Sequence, residues 1–237
     1  MALKVYSCNV KGLNSIGKRW QALKEFKSSK AEVIMVQETH FKPSGSFKFA
    51  SRHFPIAYTA SDPSGKVGVA ILIKRTSPIK ILSSYLDPHG RFIFLKCSHL
   101  STSFSLINIY APNVGQIGFL EKVFEKLQPF SQSFMIMGGD FNVCMSPTRD
   151  RKTLFQTTSQ SSSKKLSTSF RKLVRSHNLF DSWRIKHPTQ KHYTFYSHPH
   201  KSYSRLDYFL ITGPLLPYVV SSEIIHFILI PTSLILD

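Results

Sequence analysis

The chain has 237 residues, of which 42% are hydrophobic and 13% aromatic, a composition typical of a folded globular protein that excludes collagen, coiled coils and disordered chains. Its 31 lysines and arginines against 13 aspartates and glutamates give a formal net charge of +18, which favours a polyanionic partner, nucleic acid before an anionic membrane. Three cysteines without CxxC spacing predict neither a zinc site nor a disulfide framework, and the N-terminus lacks a secretion signal, so we expect an intracellular protein, nuclear or cytoplasmic.

Strand-length apolar runs alternate along the chain with three segments in which apolar residues have helical spacing. The predicted strands cover residues 3–8, 33–37, 67–73, 79–85, 92–100, 104–110, 133–137, 193–196, 205–211 and 219–228, and the predicted helices lie around 16–23, 117–127 and 166–174. The Ser/Thr-rich residues 157–169 predict an exposed loop. The apolar run from 224 to 236 is shorter than the roughly 20 residues of a membrane span and predicts a core strand. Together these elements predict one α/β domain over residues 1–237.

The positive charge is concentrated in the second half of the chain. Residues 149–205 contain 13 lysines or arginines and two aspartates, so that +11 of the total +18 lies there, together with several histidines and tyrosines. A basic surface interleaved with aromatic rings suits phosphate contacts and base stacking. The alternative is a solvated face that only keeps the protein soluble.

Polar side chains follow or open five of the predicted strands. They are Asn9, the segment 37–39 (Gln-Glu-Thr), the segment 108–113 (Asn-Ile-Tyr-Ala-Pro-Asn), the segment 138–142 (Gly-Gly-Asp-Phe-Asn) and the segment 204–207 (Ser-Arg-Leu-Asp). One such residue most often caps a turn or a helix. Five of them predict a cleft in which acids and amides converge, with oxygen ligands that suit Mg²⁺ or Mn²⁺.

In order and spacing, these motifs resemble the endonuclease/exonuclease/phosphatase superfamily. The branch that the chain resembles most is the apurinic-type endonuclease domain of LINE-type non-LTR retrotransposons, because Asp150 and Arg151 follow the Gly-Asp-Phe-Asn motif and Tyr193-Thr194-Phe195 leads to the Ser-Arg-Leu-Asp motif. The resemblance implies two packed β-sheets flanked by helices, a four-layer α/β sandwich of the DNase I-like kind. It also implies a phosphodiesterase that nicks duplex DNA by metal-assisted hydrolysis and works as a monomer.

The resemblance also implies a role for each matching residue. Glu38 would be the metal ligand, with Asn9 fixing the metal or the phosphate. Asp140 would orient and deprotonate the attacking water, and Asn142 would donate a hydrogen bond to the phosphate. The Gly-Gly pair before Asp140 would form a tight turn or allow close backbone approach to a ligand.

Further roles concern the phosphate and the DNA on either side of it. Tyr110 would reach the phosphate with its hydroxyl group, and Asp207 would hold a neighbouring group in the site. Thr194 would contact the DNA backbone. Four basic residues around it are predicted to bind DNA phosphates: Arg151, Lys191, Lys201 and Arg205.

One family motif is missing. The family closes with Ser-Asp-His near its last strand, where this chain has Ile230, Pro231 and Thr232. His226 lies on an apolar run, and we interpret it as a core residue. Because loss of a general acid or base commonly lowers the rate about 10²- to 10⁴-fold, the sequence predicts an impaired enzyme that keeps its metal and DNA affinity.

Two other functions remain compatible with the sequence. One is a nucleic-acid-binding module without chemistry, for which the charge would be the whole function. The other is a phosphatase of the same superfamily that acts on an inositol phosphate or lipid head group. The concentration of charge over residues 149–205 favours nucleic acid over a small substrate.

Overall fold

The computed structural model describes residues 3–42, 51–132, 134–153, 160–225 and 233–237. Its strands are β1 (Val5–Asn9), β2 (Val33–Gln37), β3 (Ile56–Ser61), β4 (Gly68–Ile73), β5 (Lys80–Leu86), β6 (Phe92–His99), β7 (Thr102–Tyr110), β8 (Phe134–Asp140), β9 (Arg151–Thr153), β10 (Leu179–Asp181), β11 (Phe195–Ser197), β12 (Ser202–Ser204), β13 (Asp207–Thr212), β14 (Ser222–Ile225) and β15 (Ser233–Leu236). Its helices are α1 (Ile16–Ser28), α2 (Gln116–Leu127), α3 (Pro147–Asp150), α4 (Gln160–Ser176) and α5 (Ser182–Lys186). None of these helices is long and apolar enough to cross a membrane.

The strands form two six-stranded sheets and one small sheet. Sheet 1 has the order β14-β15-β1-β2-β4-β3, and sheet 2 has the order β10-β13-β8-β7-β6-β5. Each large sheet contains one parallel pair, β1 with β2 and β7 with β8, and its other pairs are antiparallel. The small sheet, β11-β12-β9, is antiparallel.

The large sheets pack face to face because their strands carry apolar residues on both faces. In β2, Val33 and Met35 join the core between the sheets, whereas Ile34 and Val36 pack against α1. Successive strand residues point to opposite faces, so one strand serves two cores. The outer face of sheet 2 is covered by α2 and α4, which contribute residues such as Leu120 to a third core. The layers run helix, sheet, sheet, helix, and the predicted four-layer α/β sandwich is confirmed.

Several predicted elements differ from the structure. Helix α4 begins at Gln160, so the loop prediction is wrong for residues 160–169, and residues 154–159 lie outside the described ranges. Strands β3, β9, β10 and β12 were not predicted, whereas β15 lies at the end of the apolar run 224–236 that was predicted as a core strand. Within the predicted strand 219–228, only Ser222–Ile225 is a described strand. A 3₁₀ turn over Gly213–Tyr218 precedes this segment, and the residues from 226 lie outside the description.

Candidate active site

Strand pairing brings polar side chains of both large sheets to one end of the sandwich. In sheet 1 the parallel pairing of β1 and β2 aligns Asn9 with Gln37 at the ends of the two strands. In sheet 2 the parallel pairing of β7 and β8 aligns Tyr110 with Asp140, and the antiparallel β13 sets Asp207 opposite Asp140. Residues far apart in the chain therefore meet at one edge.

The side chain of Asn9 links the two sheets at this edge. Its Nδ2 donates to Glu38 Oε1 at 2.7 Å and to Asp140 Oδ2 at 3.0 Å. Its Oδ1 accepts a hydrogen bond from the backbone N–H of Lys11 at 3.0 Å. With its nitrogen facing the carboxylates, Asn9 orients them, and direct metal ligation by Asn9 does not fit this orientation.

Left-handed backbone conformations are concentrated around these residues. Glu38 (φ 55°), which follows β2, and Asn142 (φ 50°), which follows Asp140, both have left-handed backbone conformations. Lys11 (φ 48°) and His40 (φ 58°) have the same conformation. Such conformations disfavour ordinary side chains and occur where the surrounding contacts enforce them. Here the N–H of Gly12 donates to the Glu38 carbonyl at 2.7 Å, and the N–H of Asn142 donates to Asp140 Oδ1 at 2.9 Å.

Asn142 adds a hydrogen bond to the site, and His40 lies close to Glu38. Asn142 Nδ2 donates to the Ala111 carbonyl at 2.8 Å, so its amide plane is fixed beside Asp140. His40 Nε2 lies 3.6 Å from Glu38 Oε2. The sequence offered no specific signal for His40, which directly follows the Gln-Glu-Thr motif.

A fully buried amide pair lies beneath the carboxylates and joins the sheets. Gln37 Nε2 donates to Asn108 Oδ1 at 2.7 Å and to Ser7 Oγ at 3.1 Å. Asn108 Nδ2 donates in turn to the backbone carbonyls of Val36 and Ala70. Both amides belong to the polar strand ends noted in the sequence, but no role was predicted for either of them.

The glycine pair before Asp140 lies inside β8 and forms no turn. Gly139 has φ 138°, and a Cβ atom built there would lie 2.0 Å from the carbonyl oxygen of Ile109 on the neighbouring strand. A Cβ atom at Gly138 would lie 2.7 Å from Met35 Sδ in the opposite sheet. The glycines therefore allow sheet 2 to pack closely at the point where it presents Asp140.

Burial and mutual repulsion raise the pKa values of two carboxyl groups in the site. Burial raises the pKa of Asp140 to about 6, although the hydrogen bonds from Asn9 and Asn142 act in the opposite direction. Burial and the adjacent charge of Asp140 raise the pKa of Asp207 above its ordinary value. Lys11 lowers both pKa values by attraction. The charged forms of both carboxyl groups are therefore disfavoured in the site as it stands.

Tyr110 extends the same network. Burial, together with the charge of Glu38 and a hydrogen bond to it, raises the pKa of the Tyr110 phenol far above its ordinary value. The phenol is therefore protonated at neutral pH and acts as a donor. The guanidinium of Arg91 stacks 4.9 Å from the Tyr110 ring centroid and adds positive charge at this side of the site.

The donor chemistry of the site fits a hard divalent cation. Within the described ranges, no three acidic, histidine or cysteine side chains are grouped so as to hold an ion by themselves. Mg²⁺ is usually held by one or two carboxylates and keeps several waters, so it does not need such a group. Glu38, with Asp140 held beside it by Asn9, supplies carboxylate oxygens.

The structure corrects the predicted DNA contact of Thr194. Its Oγ1 accepts the backbone N–H groups of Leu206 at 3.0 Å and Asp207 at 3.3 Å, and its hydroxyl also bonds the Asp207 carboxylate. Thr194 is thus occupied with holding the start of β13. It positions Asp207 in the site.

The structure also corrects the predicted DNA contact of Arg205, which is only 1% exposed. Its guanidinium bonds Asp181 at 2.6 and 3.1 Å and Asp150 at 3.0 Å. It also lies over the rings of Trp183 and Tyr208, 5.0 and 4.5 Å from the centroids. Arg205 therefore belongs to a buried ionic cluster behind the site and cannot reach a DNA phosphate in this arrangement.

The other predicted DNA-binding residues lie near the small sheet. Lys191 and Lys201 are exposed, and Arg151 is half-buried with its Nε donating to Ser204 Oγ at 3.2 Å. Residues 230–232, which replace the Ser-Asp-His motif, and His226 lie outside the described residues.

Comparisons with known proteins agree with this geometry. The chain is 27% identical over 235 residues to the 149 kDa protein of transposon TX1 from Xenopus laevis, and the match covers 94% of this chain and 17% of that protein. The chain thus spans about a sixth of the length of this relative.

Solved structures share the fold. They include an AP endonuclease from Leishmania major (TM-score 0.78, 19% identity, 99% of this chain and 86% of that one) and one from Archaeoglobus fulgidus (0.76, 19%, 99% and 98%). The catalytic domain of Xenopus laevis APE2 has a TM-score of 0.78 at 20% identity, covering 99% of this chain and 91% of that one. A model of the Endonuclease/Exonuclease/phosphatase family matches residues 6–227, and the chain belongs to this family.

Proposed function

We propose that this chain is a Mg²⁺- or Mn²⁺-dependent DNA endonuclease domain of the retrotransposon type, which nicks duplex DNA as a monomer and occupies residues 1–237. The observation that carries the proposal is the Asn9 amide, which bridges Glu38 of sheet 1 and Asp140 of sheet 2. The relationship to a transposon protein supports the choice of DNA as substrate.

Glu38 would hold the metal ion, with Asn9 fixing the orientation of its carboxylate. A bound Mg²⁺ supplies charge stabilisation for the phosphate. Asp140 accepts the proton of the attacking water, and a pKa of about 6 suits a base that works near neutral pH. The backbone of Asn142 holds that carboxylate, and the second hydrogen of the Asn142 amide is available to the phosphate.

Two further groups would act around the scissile phosphate. The phenol of Tyr110 would donate its single O–H hydrogen to the phosphate in place of its hydrogen bond to Glu38. Asp207, held by Thr194, adjoins Asp140 and orients the groups next to it. Arg151, Lys191 and Lys201 would bind the flanking DNA phosphates from the region of the small sheet.

We further propose that this enzyme is impaired. The sequence at 230–232, Ile-Pro-Thr, contains no acid and no histidine where the family has Asp-His. A group that orients or protonates the scissile phosphate is therefore missing, while Glu38, Asp140 and their supports are retained. We expect DNA binding and metal binding to persist with slow cleavage.

The test is nicking of supercoiled plasmid with Mg²⁺, compared with EDTA. We expect the wild-type protein to nick slowly, Asp140→Asn to abolish nicking with nearly unchanged DNA affinity, and the exposed control Glu121→Gln to behave as wild type. Pro231→Asp with Thr232→His should raise the rate about 10²-fold or more. Nicking by Asp140→Asn at the wild-type rate would refute the assignment of the base, and a fast wild-type enzyme would refute the impairment.

A second candidate, a nucleic-acid-binding module without chemistry, is favoured by the same substitution at 230–232. It predicts tight, salt-sensitive duplex binding and no Mg²⁺-dependent nicking at any enzyme concentration. Measurable wild-type nicking that Asp140→Asn removes would exclude it.

A further inference from the structure

A pocket of about 370 Å³ at the far end of sheet 1 is lined almost entirely by basic side chains. Its lining residues are Lys27, Arg52, His53, Lys74, Arg75 and Thr76. None of these described residues is acidic.

The pocket is assembled from three separate chain segments that are fixed to one another. Lys27 lies in the last turn of α1, and Lys74 directly follows β4. The backbone N–H of Arg75 donates to the His53 carbonyl at 2.9 Å, and Arg75 Nε donates to the Arg52 carbonyl at 2.9 Å. The cations are therefore held close together by the fold and do not simply lie along one flexible segment.

This grouping of like charge is unfavourable without an anion. The neighbouring acid Glu32 is not among the residues that line the pocket, and its Oε2 accepts a hydrogen bond from Ser77 Oγ at 2.9 Å. Burial and the charges of Lys74 and Lys27 lower the pKa of His53, which favours its neutral imidazole. Like charges at short range repel, and a bound polyanion removes that repulsion.

The pocket cannot be part of the candidate active site. Lys74 bonds the backbone of Glu32 before β2 begins, whereas Glu38 follows the other end of β2. A strand of five residues spans about 17 Å, so the rigid sheet separates the two places by roughly that distance.

We propose that this pocket binds the phosphate backbone of a second nucleic-acid strand, distinct from the duplex in the active-site cleft. Four cations spread over three segments suit successive phosphates, and the net charge of +18 favours a nucleic acid over an acidic protein surface. Strand binding in the pocket does not require cleavage. The proposal rests on the proposed function only in assuming that a duplex fills the active-site cleft.

The experiment measures binding of labelled single-stranded RNA and DNA, in separate arms, in the presence of saturating unlabelled duplex. Lys27→Glu with Arg52→Glu should weaken strand binding about tenfold or more, and should reduce the slope of log affinity against log salt by about 1.4 for two lost phosphates on a single strand. Lys27→Gln with Arg52→Gln should give an intermediate loss. Both substituted residues are exposed, so the fold is retained, as circular dichroism would verify.

The matched control is Lys122→Glu with Lys126→Glu on the exposed side of α2, which makes the same change in net charge. It should keep strand binding within about twofold to threefold, while both pairs keep the wild-type level of plasmid nicking. Equal losses in both pairs, displacement of the strand by the duplex, or equally strong competition by poly-glutamate would overturn the proposal. Failure of Asp140→Asn to lose nicking would instead contradict the proposed catalytic function and leave strand binding unaffected.

Discussion

Glu38 and Asp140 show how one amide can set the geometry of two acids. Their carboxylates come from different sheets, and the two hydrogens of Asn9 Nδ2 meet one oxygen of each. These residues were predictable because each follows an apolar strand. The hydrogen bonds of these acids were less predictable, because the sequence does not specify that the nitrogen of Asn9, and not its oxygen, faces them.

Removing the charge of Glu38 should remove metal-dependent stability. Mg²⁺ that binds only the folded protein stabilises it by about 2.7 kcal/mol at a concentration 100 times its Kd. We expect Mg²⁺ to raise the Tm of wild type and of Glu121→Gln in a thermal melt, and to leave that of Glu38→Gln unchanged. An equal rise for Glu38→Gln would place the ion elsewhere.

Arg205 illustrates a role that local sequence does not reveal. Its place in the Ser-Arg-Leu-Asp motif, within a basic stretch, suggested an arginine that binds phosphate. In the structure, Asp150 and Asp181 neutralise its charge in the interior. These acids lie 55 and 24 residues away in the chain, so only the tertiary structure identifies them.

Arg205→Met should destabilise the fold by about 3–5 kcal/mol, because it leaves the Asp150 and Asp181 carboxylates buried with fewer partners. Urea unfolding followed by circular dichroism measures this loss. The exposed Lys172→Met should change the free energy of unfolding by less than about 0.5 kcal/mol. A loss of DNA affinity without a loss of stability in Arg205→Met would restore the predicted surface role.

At the scale of the elements, most long strands were predictable and most short ones were not, although the six-residue β3 was missed and the three-residue β11 overlaps a predicted strand. Strands β4 and β7 are six and nine residues long and largely apolar, whereas β9, β10 and β12 have three residues each, too few to show a period. Helix α4 was missed at its start because residues 160–165 contain only polar side chains.

Strand β8 depends on a glycine where it presents Asp140. Gly139→Ala should destabilise the fold by about 3 kcal/mol or more, because the new methyl group would overlap the Ile109 carbonyl and the backbone has a positive φ. Gly118→Ala in α2, where a Cβ atom would meet open space, should instead stabilise by about 0.5–1 kcal/mol. Denaturant titrations compare the two, and an unaffected Gly139→Ala would contradict the close approach of the strands.

At the scale of the whole molecule, the alternating pattern predicted the four layers, but not how the sheets are aligned. That alignment is fixed where Gln37 meets Asn108 across the interface. Buried amides in an apolar interior are costly unless they are paired, so this pair permits one relative position of the sheets.

Asn108→Ala should destabilise the protein by about 3 kcal/mol, since the Gln37 amide and two backbone carbonyls lose their partner. Any nicking should fall further than the folded fraction does, because Glu38 and Asp140 lie on different sheets. Parallel measurements of unfolding and nicking test this, with the exposed Asn113→Ala as control. Proportional losses of both quantities would show that the pair contributes stability alone.

Because the two carboxylates belong to different sheets, the geometry of the active site depends on the position of one sheet relative to the other. A displacement of one sheet by a fraction of an ångström would separate Glu38 from Asp140 while each layer kept its internal hydrogen bonds. On gradual warming, the nicking activity should therefore decrease at temperatures where the far-ultraviolet circular dichroism spectrum is still that of the folded protein.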